Sequence, residues 1–95
     1  MKKEEILEFL NANKKRLAEQ YGVRKIALFG SYAREDAKEE SDIDLFVEME
    51  PDLFSMVRLK KELEAQFGKK VDLVRDHSHL KPLLRKMIER ESLRV

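Results

Sequence analysis

Residues 25–31, KIALFGS, limit the available folds more than any other stretch of the chain. The run Ile26 to Phe29 is apolar without alternation and stops at Gly30, which predicts a short interior strand covered on both faces. Helices must supply that cover. Ile6, Leu7, Leu10, Leu17, Ala18 and Tyr21 recur at helical spacing among charges and are followed by Gly22, so a single amphipathic helix is expected over about residues 3–20. Met56, Leu59, Leu63 and Phe67 keep the same period between Pro51-Asp52, a helix start, and Gly68, a helix end. Leu80, Leu83, Leu84, Met87 and Ile88 follow the i, i+3, i+4, i+7, i+8 pattern of a last helix, with Pro82 in its first turn. SYAREDA has the length of one or two helical turns, DIDLFVEM reads as a second strand and KKVDLV as a third. The expected order is αβαβαβα, in one domain spanning residues 1–95.

The second strand raises a chemical question. Its alternation turns Ile43, Leu45 and Val47 to one face and Asp42, Asp44 and Phe46 to the other, so two carboxylates stand side by side. That arrangement is costly unless a cation neutralises it. Ten residues earlier, Gly30 and Ser31 follow a strand end, where glycine permits a sharp turn and close approach to a ligand. Backbone N–H groups at the start of a helical turn, with the Ser31 hydroxyl, favour an anion. Magnesium takes octahedral oxygen coordination, commonly one or two carboxylates with substrate phosphates, so a Gly-Ser cradle facing Asp-x-Asp describes a site for a metal-bound nucleoside triphosphate. Asp72 interrupts an apolar strand and would face the same pocket if that strand lies beside the second; Asp76 is the alternative acid. Taken alone, Gly30 is also a plain strand end and Ser31 a plain helix cap. Arg34 either contacts phosphate or pairs with Glu35, Asp36 or Glu39. His77 and His79 read as a solvated turn and helix cap.

Size and charge restrict the substrate. A chain of 95 residues forms one core, with no room for a separate acceptor-binding domain. Twenty Lys and Arg nearly cancel 19 Asp and Glu, which gives no field to attract nucleic acid or an anionic membrane. The absence of cysteine excludes disulfides and thiolate metal sites. No apolar run approaches the roughly 20 residues of a membrane span, and MKKEEILEFL lacks a cleavage signature, so a cytoplasmic protein is expected.

GSYAR, the ten-residue interval to SDIDL and a single later strand aspartate resemble the signature of the DNA polymerase β-like nucleotidyltransferases. The compact size is similar to the minimal nucleotidyltransferases, the antitoxin half of HEPN/MNT toxin–antitoxin pairs. The resemblance spans about residues 24–75 closely, and the flanking helices by order and length. It implies an α/β (α+β) nucleotidyltransferase fold with a small mixed three-stranded sheet flanked by helices. It also implies that Gly30 and Ser31, with Arg34 and Ser41, contact the nucleotide, and that Asp42, Asp44 and Asp72 hold magnesium, two ions in all. ATP would be the donor, and Asp72 would take the proton from the attacking hydroxyl. The acceptor implied is a tyrosine of a partner HEPN toxin; the rival reading is an antitoxin that neutralises its partner by binding alone. Relatives often carry Gly after the Arg of GSxAR, where this chain has Glu35, a departure that bears on the short helix and not on the metal site.

Overall fold

The computed structural model describes all 95 residues, Met1–Val95. Two helices, α1 (Lys3–Ala12) and α2 (Lys14–Tyr21), precede strand β1 (Lys25–Phe29) and the four-residue helix α3 (Ser31–Arg34). Strand β2 (Ile43–Glu48), helix α4 (Leu53–Phe67), strand β3 (Val71–Arg75), helix α5 (Pro82–Glu91) and strand β4 (Leu93–Arg94) follow. No helix is long and apolar enough to cross a membrane.

The sheet has the order β3-β2-β1-β4. β1 runs antiparallel to β2 and to β4, and β2 runs parallel to β3, so the sheet is mixed as the resemblance implied. It has a fourth strand beyond the three expected. Leu93 and Arg94 pair with Leu28 and Ala27, and this two-residue strand is what makes β1 an interior strand on that side. A pairing so short leaves no alternation to read in the sequence.

The expected single first helix is two helices. Asn13 leaves helical geometry at φ −106° and ψ 9°. Its backbone N–H and its side-chain Nδ2 both donate to the Phe9 carbonyl, at 3.0 and 2.9 Å. Asparagine competes for backbone partners in this way, which ends the first helix without disturbing the apolar face. Ile6, Leu10, Leu17 and Tyr21 remain buried on both sides of the break, whereas Ala18 is exposed.

One face of the sheet carries the main core. Ile26 and Leu28 of β1, Ile43, Leu45 and Val47 of β2 and Val71 of β3 pack with Leu59, Leu63 and Phe67 of α4 and the buried positions of α1 and α2. The burial of β2 alternates strictly, as its sequence predicts. Asp52 caps α4 by accepting from Phe54 N and Ser55 N, and Gly68 closes it in the left-handed conformation. On the opposite face, Ala27 and Phe29 are also buried, and Ile88 is the buried residue of α5.

The division between core and surface gives a direct test. Leu28→Ala removes a fully buried side chain from the central strand and should cost about 3 kcal/mol in denaturant unfolding. Phe54→Ala, at a residue 81% exposed, should change stability by no more than about 0.5 kcal/mol.

Candidate active site

The cleft forms where β1 ends and where β2 and β3 begin. Antiparallel pairing sets Phe29 opposite Asp44, and parallel pairing sets Asp44 opposite Asp72. Partners in register on adjacent strands project to the same face, so the two carboxylates become neighbours although 27 residues separate them in sequence. Gly30 turns the chain at φ 77° and ψ −154°, a region that only glycine occupies readily. A Cβ at Gly30 would lie 2.1 Å from Asp44 Oδ2. Glycine is therefore required twice, by the backbone and by the carboxylate pressed against it.

Ser31 opens α3, which buried Tyr32 anchors to the core. Glu35 ends that helix at φ 66°, and it is the one residue other than glycine with positive φ. A side chain is strained in this conformation, which glycine, the residue the resemblance leads one to expect here, would adopt freely. Glu35 is held by an ion pair with Lys3. The Lys3 ammonium beside it draws the Glu35 carboxyl below its ordinary range.

A cleft of about 470 Å³ is lined by Phe29, Gly30, Ser31, Arg34, Asp44 and Asp72, with Val74, Leu84 and Met87 as its apolar side. It gathers five of the seven residues expected from sequence. Asp42 is exposed at the rim, just before β2, yet close enough for its charge to act on Asp44. Ser41 stands outside the lining: its hydroxyl accepts from Lys38 N at 2.8 Å while its own N–H donates to the Lys38 carbonyl, closing the turn that leads to Asp42. Asp76, the alternative acid, pairs with Arg85 at 2.8 Å instead. His77 and His79 hold a turn together, with His79 N donating to His77 Nδ1, and the residue that caps α5 is Lys81. A larger cavity of about 590 Å³ between β1, α5 and the chain end contains none of those seven residues, and Asp76 is on its wall.

Arg34 resolves into ion pairs. Its Nε donates to Asp36 at 3.2 Å, one of the partners foreseen, and its Nη1 to Glu91 at 2.9 Å, which was not. Sequence reasoning took Leu84 and Met87 as core or partner-facing positions of the last helix and not as cleft lining, and it gave no site role to Val74 or Glu91. The apolar stripe of α5 marks a helix with a buried side, but nothing in it shows which face of the sheet the helix will cover.

Burial pushes the Asp44 carboxyl up to about 6; the charges of Asp72 and Asp42 add to this, and Arg34 opposes it. A cation relieves this kind of stress. No three acidic or histidine side chains are gathered closely enough to hold a metal ion by themselves. An open set of carboxylates suits magnesium, which keeps waters and takes substrate phosphates as ligands. The crowded acids, with Asp44 pressed against the Gly30 main chain, thus fit such an ion.

Asp44 and Asp72, carried on adjacent strands, thus face the Gly-Ser turn across one cleft. The chain belongs to the family described as polymerase beta, nucleotidyltransferase, which it matches over residues 4–95. It is 47% identical over 94 residues to the protein adenylyltransferase MntA of Thermococcus cleftensis, an alignment covering 97% of this chain and 94% of that one. A solved structure assigned as a minimal nucleotidyltransferase superposes with a TM-score of 0.80 at 36% identity, covering 98% of this chain and 95% of the other. The structure of the tri-AMPylated Shewanella oneidensis HEPN toxin in complex with its MNT antitoxin matches with a TM-score of 0.62 at 27% identity, covering 90% of this chain and 68% of that one.

The electrostatics and the strain each predict a measurable effect. Because the folded chain binds the Asp44 proton more tightly than the unfolded chain, metal-free stability should fall as pH rises from 3.8 to about 6 and stay lowered above it. Asp44→Asn should therefore melt above the parent at about pH 7.5, and the gap should close by about pH 4. Glu35→Gly should melt no lower than the parent, since relief of the left-handed backbone offsets the lost surface pair, whereas Glu35→Val should melt lower because a branched side chain tolerates positive φ poorly.

Proposed function

We propose that this chain transfers AMP from ATP to a tyrosine hydroxyl of a partner HEPN toxin and thereby acts as its antitoxin. The observation that carries the reading is the pairing of Asp44 with Asp72 in register at the cleft, with Asp44 packed against Gly30. Relatives support the acceptor class: one is named a protein adenylyltransferase, and another was solved with a HEPN toxin that carries three AMP groups.

Asp42, Asp44 and Asp72 are the residues that would hold magnesium. When bound, the metal supplies charge neutralisation for the triphosphate and for the departing pyrophosphate. Gly30 lets the backbone come close to the phosphates, Ser31 adds a hydroxyl donor, and Arg34 adds positive charge at the same wall. Ser41 contributes by fixing the turn that delivers Asp42 to the rim. Asp72, exposed at the start of β3, accepts the proton of the incoming hydroxyl. The apolar side formed by Val74, Leu84 and Met87 gives the rest of the donor a dry surface.

The acceptor must come from outside the chain. Its two tyrosines are both buried, Tyr21 with its hydroxyl donating to Glu62 at 2.7 Å and Tyr32 on the core side of α3. A partner protein brings its own grip on the complex, which a domain of this size lacks for a free small molecule or a primer.

The test separates binding from chemistry. Asp72→Asn should bind MgATP within a few-fold of wild type, yet lose AMP transfer to the co-purified partner by about 100-fold, the scale of losing a general base. Partner mass and growth rescue at matched expression are the readouts. Full rescue with no AMP on the partner would establish neutralisation by binding alone and overturn the enzymatic reading.

A further inference from the structure

Arg34 lines the cleft together with Asp44 and Asp72, yet it pairs with neither. Two crowded carboxylates are the strongest attraction available to a nearby guanidinium, and a direct pair would occupy the oxygens a cation needs. What holds Arg34 off is a pair of carboxylates behind it. Asp36, two positions on in sequence, takes Nε; Glu91, the last residue of α5, takes Nη1. The Asp36 side chain is 60% exposed, whereas that of Glu91 is 21% exposed. Glu91 is the better-held anchor, because a partly buried charge-assisted bond is less weakened by water than an exposed one.

We infer that Glu91 is a positioning residue for nucleotidyl transfer: it holds Arg34 clear of Asp44 and Asp72 and leaves the Nη2 edge of the guanidinium for the triphosphate. A guanidinium has five N–H donors, and these two bonds account for two of them, so three remain for an anion. The inference rests on the nucleotide reading of the cleft. It also gives α5 a role beyond cover, since the same helix sets Leu84 and Met87 on the apolar side and ends on the residue that aims Arg34.

Removing Glu91 has two opposed effects on a bound triphosphate. Long-range repulsion falls, which favours the anion, and Arg34 becomes free to turn onto the acids, which disfavours both metal and anion. The second should win, because the repulsion acts through solvent and is screened while the competition acts by contact.

The experiment is calorimetric binding of MgATP and of Mn²⁺ alone to wild type, Glu91→Gln, Arg34→Ala and the double variant. Glu91→Gln should weaken MgATP binding by about tenfold, the scale of one misdirected charge-assisted bond. It should weaken Mn²⁺ binding as well, with little change in melting temperature. In the double variant Mn²⁺ affinity should return to that of Arg34→Ala, and MgATP affinity should be no worse than that of Arg34→Ala, because Glu91 acts through Arg34. Unchanged or tighter MgATP binding by Glu91→Gln would overturn the inference, as would additive losses in the double variant, which describe a brace for α5. A wild-type protein that binds Mn²⁺ but no MgATP would overturn the nucleotide reading, and this inference with it, before any variant is compared.

Discussion

The contact between Gly30 and Asp44 is the constraint on which the site depends. A carboxylate packed where a Cβ would stand brings β2 and the turn after β1 closer than any other residue permits. The same glycine adopts the φ and ψ that carry the chain from the end of β1 directly into α3. Local backbone geometry and tertiary packing thus demand the same residue for different reasons. The result is an acid wedged against main chain, partly buried and beside two other acids, whose proton affinity is raised for physical causes that a cation would remove.

A stressed site needs a scaffold that does not yield. The sheet provides it through strictly alternating β2, whose three inward residues are fully buried while Asp44 and Phe46 face the other way. Ile43 and Leu45 flank Asp44 in sequence, so moving the aspartate would pull core residues out of place. α4 covers the core face, and Asp52 and Gly68 at its ends define its length. The backbone strain stays at the surface, in left-handed Glu35, where Lys3 rather than packing provides the compensation.

The opposite face is built differently. α5 carries one buried residue, Ile88, and two cavities lie along it, the cleft at one end and the larger cavity toward β4. Its attachment relies on polar ties: Arg85 to Asp76 and to the His77 carbonyl near the start, and Glu91 to Arg34 at the end. The apolar side of the cleft is therefore held at its edges by ion pairs, whereas the acidic side is held by the core.

The sequence by itself determined the elements and the chemistry that period and spacing can encode. KIALF announced an interior strand, DIDLFVEM put both aspartates on the face away from Ile43, Leu45 and Val47, and the Gly-Ser turn stood at a fixed interval before them. Those are local properties, since side-chain direction along a strand follows from the backbone alone. Only the tertiary structure decided that β3 lies beside β2 in the register that joins Asp72 to Asp44 rather than offering Asp76. It also decided that Leu93 and Arg94 form a strand, and that Glu91 reaches Arg34 across 57 positions. Register between distant strands and the face on which a helix lands are set by the summed packing of the whole chain, and no single segment carries that information.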